Sequence, residues 1–118
     1  MHELSIVEAL IDQVDRELDQ AGQTGPVRRL ELSIGRLSGV HPDSVRFAFE
    51  LLTQNTPMRN TEIVIEEPKA VCRCRACGAQ TEIDELVVQC PRCAGADIVI
   101  EGGRELLLQT IEIEEPTP

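Results

Sequence analysis

VCRCRACGAQTEIDELVVQCPRCAGADIV, residues 71–99, holds all five cysteines of a 118-residue chain. How these cysteines are read decides the architecture. Four of them form two C-x-x-C pairs, Cys74/Cys77 and Cys90/Cys93, separated by residues 78–89. Two residues between cysteines let a tight turn aim both sulfurs at one ion, with turn amides donating to the sulfurs. Gly78 supplies a positive φ after the first pair, and Pro91 stiffens the second turn. Two such turns on a hairpin complete a tetrahedral four-sulfur site, the arrangement zinc takes in structural positions. Spacing alone leaves iron open. A closed site of this kind has no free coordination position, so its expected role is to fold a segment without a core of its own. Metal binding contributes on the order of 10 kcal/mol to such a segment. Cys72 falls outside the knuckle spacing and is expected to be a small buried hydrophobe, with a redox-sensitive thiol or a substitute ligand as the alternatives. A thioredoxin-type redox role fits less well, because that motif is a single pair at a helix start.

Outward from this segment the chain alternates between two periodicities. Leu4, Val7, Leu10/Ile11, Val14 and Leu18 fall on one helical stripe, with Glu8, Asp12, Asp15, Arg16, Glu17 and Asp19 between them. The glycines and proline of residues 21–26 end that helix. Leu30, Leu32 and Ile34 alternate with Arg29, Glu31 and Ser33, as in a strand with one buried face. After a turn at 35–39, His41-Pro42-Asp43-Ser44 reads as a helix start. Val45, Ala48, Phe49 and Leu52 form the inner face of that second helix, which runs out before Pro57. A second strand covers Thr61–Glu66, and a third lies within 104–114. The expected fold is α+β: two helices packed on a three-stranded sheet, with a small four-cysteine zinc-knuckle domain inserted before the last strand. The implied domains are 1–69 plus 102–118, and 70–101 as the insert.

Composition narrows the function. Eleven basic residues against twenty-one acidic ones give a formal charge of −10, and Trp and Tyr are absent. Such a chain is repelled by phosphate backbones and lacks stacking platforms, so nucleic acid is a poor partner. No apolar run approaches the roughly 20 residues of a membrane span. Glu3, Glu8 and Asp12 interrupt the N-terminus where a secretory signal would be apolar. A cytoplasmic protein is expected, and clustered cysteines in a reducing compartment point to metal rather than disulfides.

The chain opens Met1-His2-Glu3, and His2 is one of only two histidines. A free α-amine, the amide nitrogen and imidazole of His2, and the amide of Glu3 can supply four nitrogens in a plane. That field suits Ni(II) or Cu(II) better than Zn(II). The motif is three residues long, so on its own an exposed histidine with no role is the simpler account, and Glu3 serves equally well as a first-turn acid. His41, at the start of the second helix, reads as a capping or exposed residue, or as a further donor if both helix starts share one end of the layer.

Taken together, the opening MHE, the central GRLSGVHPDSVRFAFELL, the two C-x-x-C pairs and the later GRELLLQTIEIEE resemble the HypA/HybF family across nearly the whole chain. These are nickel metallochaperones of hydrogenase maturation. The resemblance implies that Met1, His2 and Glu3 form an amino-terminal nickel motif with His2 indispensable. It implies that Cys74, Cys77, Cys90 and Cys93 hold zinc, and that nickel is cargo while zinc is scaffold. It also implies delivery to the nickel–iron hydrogenase large subunit precursor together with a HypB-type GTPase, with urease served by some members. No ligand role is carried over to His41. The chain is expected to be a monomer or weak homodimer, and not an enzyme, since no nucleophile–base pair, open metal site or glycine-rich phosphate loop is present. The rival reading is a zinc-ribbon adaptor for protein or nucleic acid, whose only footing is a local basic patch of Lys69, Arg73, Arg75 and Arg92. Those charges are expected to offset a zinc tetrathiolate or meet an acidic partner.

Overall fold

The computed structural model describes the backbone of residues 2–114 and the side chains of residues 3–114. Element order is α1 (His2–Gln20), β1 (Val27–Ile34), α2 (Pro42–Thr53), β2 (Glu62–Glu66), β3 (Ala70–Cys74), β4 (Gln80–Ile83), β5 (Ile98–Glu101) and β6 (Leu106–Ile113). The strands form two three-stranded sheets, ordered β2-β1-β6 and β4-β3-β5. The chain divides into two compact units. One contains α1, α2, β2 and most of β1 and β6; the other contains Ser33–Gly39 and Glu66–Leu107.

In the first unit α1 buries Val7, Leu10 and Val14, and Leu4, Ile11 and Leu18 are half-buried beside them. This is the stripe expected from the 3.6-residue period. The helix ends where Gln23 N donates to Leu18 O (2.9 Å) and Gly22 N to Asp19 O (3.1 Å), a pair of bonds that satisfies its last carbonyls. α2 packs against α1 and starts at Pro42, with His41 extended before it and making no side-chain cap bond. Its buried residues are Val45, Ala48, Phe49 and Thr53. Leu52, expected on the inner face, is only half-buried. Thr53 takes the central place because its hydroxyl donates to Phe49 O at 2.7 Å, which removes the cost of burying it. β1 is the central strand of its sheet and buries Leu32, Ser33 and Ile34 in succession. The simple one-face alternation therefore fails at its end, as it does for strands covered on both sides. Glu112 of β6 pairs with Arg28 (3.3 Å) and Arg29 (3.6 Å) of β1.

The inserted segment is more structured than the sequence suggests. β3 pairs antiparallel with β4 (Ala70↔Ile83, Cys72↔Thr81) and with β5 (Cys72↔Ile100, Cys74↔Ile98). The segment also has a core: Ala70, Cys72 and Ile83 are buried, and Leu37, Val87, Ile98 and Ile100 pack against them. The expectation of a coreless segment is thus corrected. Strands of four or five residues interrupted by cysteines and arginines give too short a period-2 signal to be seen against a metal motif. Among the described residues no helix is long and apolar enough to cross a membrane.

Candidate metal centres

The structure brings Cys74, Cys77, Cys90 and Cys93 together, with all four sulfurs within 4.8 Å of one another. The first knuckle is the turn of the β3–β4 hairpin; the second lies in the connection from β4 to β5, not on the same hairpin. Cys74 Sγ and Cys93 Sγ are 3.6 Å apart, and Cys77 Sγ and Cys90 Sγ 3.7 Å. Four sulfurs in a regular tetrahedron around zinc, with bonds of about 2.3 Å, stand about 3.8 Å apart. The residues present therefore fit a four-coordinate zinc ion.

The two knuckles repeat each other in their backbone bonds. In the first, Gly78 N donates to Cys74 O (3.1 Å) and Cys74 N to Ala79 O (3.0 Å). In the second, Ala94 N donates to Cys90 O (2.9 Å) and Cys90 N to Gly95 O (2.8 Å). Amide-to-sulfur bonds follow the same plan: Cys77 N to Cys74 Sγ at 3.4 Å, and Cys93 N to Cys90 Sγ at 3.5 Å. Arg92 N adds a second donor to Cys90 Sγ, and Gly95 N donates to Cys93 Sγ, both at 3.4 Å. The residue at the positive φ also differs. The positive φ that Gly78 adopts at 76° is taken in the second knuckle by Ala94, at 61°.

These amides set the thiol chemistry. Donation from the amides of Cys93 and Arg92 lowers Cys90 to about 6 against the opposing effect of burial. Cys74 is lowered chiefly by the Cys77 amide. At Cys93 the Gly95 amide acts downward, but the neighbouring sulfurs and burial push it up to about 12. An amide donor favours the thiolate, and the thiolate is the form that binds metal. The amide-to-sulfur bonds are those the cysteine spacing implies, whereas the positive φ at Ala94 is not. The available signal was the small residues after each pair, Gly78-Ala79 and Ala94-Gly95.

Cys72 stands apart from the cluster. It is 1% exposed in the small core, and burial, followed by the charges of Cys90, Cys74 and Cys77, raises its thiol pKa. The basic patch is largely neutralised within the unit: Lys69 pairs with Asp84 (3.6 Å), Arg73 with Glu101 (3.1 Å) and Arg75 with Asp97 (3.5 Å). These three charges thus have carboxylate partners close by in the fold. Exposed pairs of this kind contribute little to stability.

Of the amino-terminal set, Met1 and the side chain of His2 lie outside the described residues. The backbone of His2 begins α1, and Glu3 sits half-buried in its first turn. His41 is exposed at the start of α2.

Two helices and a small sheet, together with paired cysteine knuckles converging on one four-sulfur cluster that could hold a metal ion, define the class as an α+β protein with a candidate metal centre. The family model described as hydrogenase/urease nickel incorporation, metallochaperone, HypA matches residues 1–113. The Hydrogenase maturation factor HypA of Chlorobaculum parvum is 42% identical over 114 residues, covering 97% of this chain and all of that relative. That of Chlorobium limicola is 39% identical, covering 98% of each chain. The solution structure of the Ni metallochaperone HypA from Helicobacter pylori superposes with a TM-score of 0.63 at 22% identity, over 94% of this chain and 96% of that one. A second solution structure, of HypA protein, gives 0.66 over 97% of both. The chain belongs to the HypA family of nickel-incorporating metallochaperones, maturation factors for hydrogenase rather than enzymes.

Proposed function

We propose that this protein carries Ni(II) as cargo on its amino terminus and delivers it during maturation of a nickel–iron hydrogenase, with zinc held at Cys74, Cys77, Cys90 and Cys93 as scaffold. The observation that carries the reading is the family match, which begins at residue 1 and so includes Met1-His2-Glu3. The donors are the α-amine of Met1, the amide and imidazole of His2 and the amide of Glu3. The start of α1 favours such a set. Amides in a helix's first turn have no intrahelical acceptor, and the positive end of the helix dipole stabilises a deprotonated amide. Each donor competes with a proton, so nickel affinity rises with pH and a local drop in pH or a better acceptor takes the ion away.

Nickel duties fall to residues 1–69 with 102–118, and zinc duties to 70–101. The partners are a HypB-type GTPase and the hydrogenase large subunit precursor, met in the cytoplasm by a monomer or weak homodimer. Urease is a second recipient of the same cargo. Support for the zinc assignment is the sulfur spacing and the amide donors of both knuckles.

Nickel titration of the intact protein, a His2→Ala variant and a form with one residue added before Met1 tests the cargo site. Stoichiometric binding is expected only for the intact protein. Equal binding by all three contradicts the amino-terminal site.

A further inference from the structure

The connection between β1 and α2 belongs to the cysteine-bearing unit although residues 40–65 separate them in sequence. Three successive amides fix it there. Gly35 N donates to Glu105 O (2.8 Å), Arg36 N to Pro68 O (3.0 Å) and Leu37 N to Gly103 O (2.6 Å). The Arg36 side chain adds Nε to Glu67 O (3.1 Å) and an ion pair to Asp84 (3.6 Å), the carboxylate that also takes Lys69. Leu37 packs into the small core against Ala70, Cys72 and Ile83. The fit leaves no room for side chains at the backbone crossing. A Cβ on Gly35 would overlap the Gly103 carbonyl, and one on Gly103, whose φ is 78°, would lie 2.7 Å from Ala70 Cβ.

The core that holds this loop is anchored by the cysteine site. β3 runs from Ala70 and Cys72, in the core, to Cys74, in the site, and β5 pairs Ile98 with Cys74 and Ile100 with Cys72. Strands of four or five residues over so few buried side chains do not hold independently of a further constraint. With no cation among them, four clustered sulfurs lack the charge that keeps them together. We infer that residues 33–39 are a metal-dependent element: an ion at the four-cysteine site holds the β1–α2 connection in the cysteine-bearing unit, and loss of the ion releases it. Leu37 is the positioning residue of this link.

Amide hydrogen exchange on the full chain tests it, comparing zinc-loaded protein with protein stripped by EDTA. Gly35, Arg36 and Leu37 are expected to exchange at least about 100-fold faster without zinc, as in a local opening. The amides of Thr61 and Glu114, which donate to Met58 O and Pro26 O, should change by less than about threefold. Retained protection at the three loop amides overturns the proposal, and so does equal loss at Thr61 and Glu114, which would show one undivided unfolding unit. By reciprocity of linked equilibria, Leu37→Ala should weaken zinc about tenfold and Leu37→Met should restore it. Unchanged zinc affinity in Leu37→Ala also overturns the link.

Discussion

Ala94 and Gly78 occupy equivalent places in two knuckles that share their backbone bonds, and this makes a paired perturbation possible. A non-glycine residue in the left-handed region costs about 1–2 kcal/mol, and Ala94 sits there at φ 61°. Ala94→Gly removes that strain but loosens the unfolded chain, which takes back about 0.4–1 kcal/mol. The net gain is about 0.5–1 kcal/mol. Gly78→Ala should lose a similar amount, since a Cβ at Gly78 meets nothing within 4 Å and has no packing to offset the strain. Metal binding and folding of such a unit are one equilibrium, so the effect appears in zinc affinity. A chelator-competition titration should find Ala94→Gly about twofold to fivefold tighter and Gly78→Ala weaker by a similar factor. The two variants should thus move in opposite directions from the parent. If they move together, or Ala94→Gly binds zinc more weakly, the assignment of strain to the second knuckle is wrong.

Acid should release zinc late. Turn amides hold Cys90 down at about 6 and lower Cys74, so protons take these two sulfurs from the ion only in acid, whereas Cys93, pushed up to about 12, depends on the bound ion for its thiolate. The bound ion favours all four thiolates, so zinc occupancy followed by metal analysis after dialysis should hold at neutral pH and decline as the pH falls into the acid range. Release centred above neutrality would contradict the amide-donor account. Cys72→Ala should retain one zinc per chain with a modest loss of thermal stability, because Cys72 fills the small core rather than the site. Loss of zinc from that variant would return Cys72 to the ligand set.

The helices and the strands before the cysteine-bearing segment were legible in the sequence because their periodicities extend over enough residues. Val7, Leu10 and Val14 on α1, and Leu30 and Leu32 on β1, are buried as their spacing predicts. The cysteine cluster was legible for a different reason, since two C-x-x-C turns constrain geometry strongly with few residues. What escaped was long-range. Leu37, in a glycine-flanked turn, carries no local sign that it packs against Cys72 and Ile83. Thr53 reads as polar, and only the bond to Phe49 O explains its burial. Ala94 at positive φ breaks the usual preference for glycine and shows itself only when the two knuckles are compared. Lys69, Arg73 and Arg75 look like a basic patch in one dimension, and their carboxylate partners, Asp84, Glu101 and Asp97, come from further along the chain.

The central claim is that two metals occupy two sites with separate duties. Native mass spectrometry of protein loaded with equimolar Ni(II) and Zn(II) addresses it directly, on the parent chain, His2→Ala and Cys90→Ser. The account predicts one nickel and one zinc on the parent, zinc alone on His2→Ala, and nickel without a stoichiometric zinc on Cys90→Ser. Nickel retained at full stoichiometry by His2→Ala, or lost from Cys90→Ser while zinc stays, would contradict it.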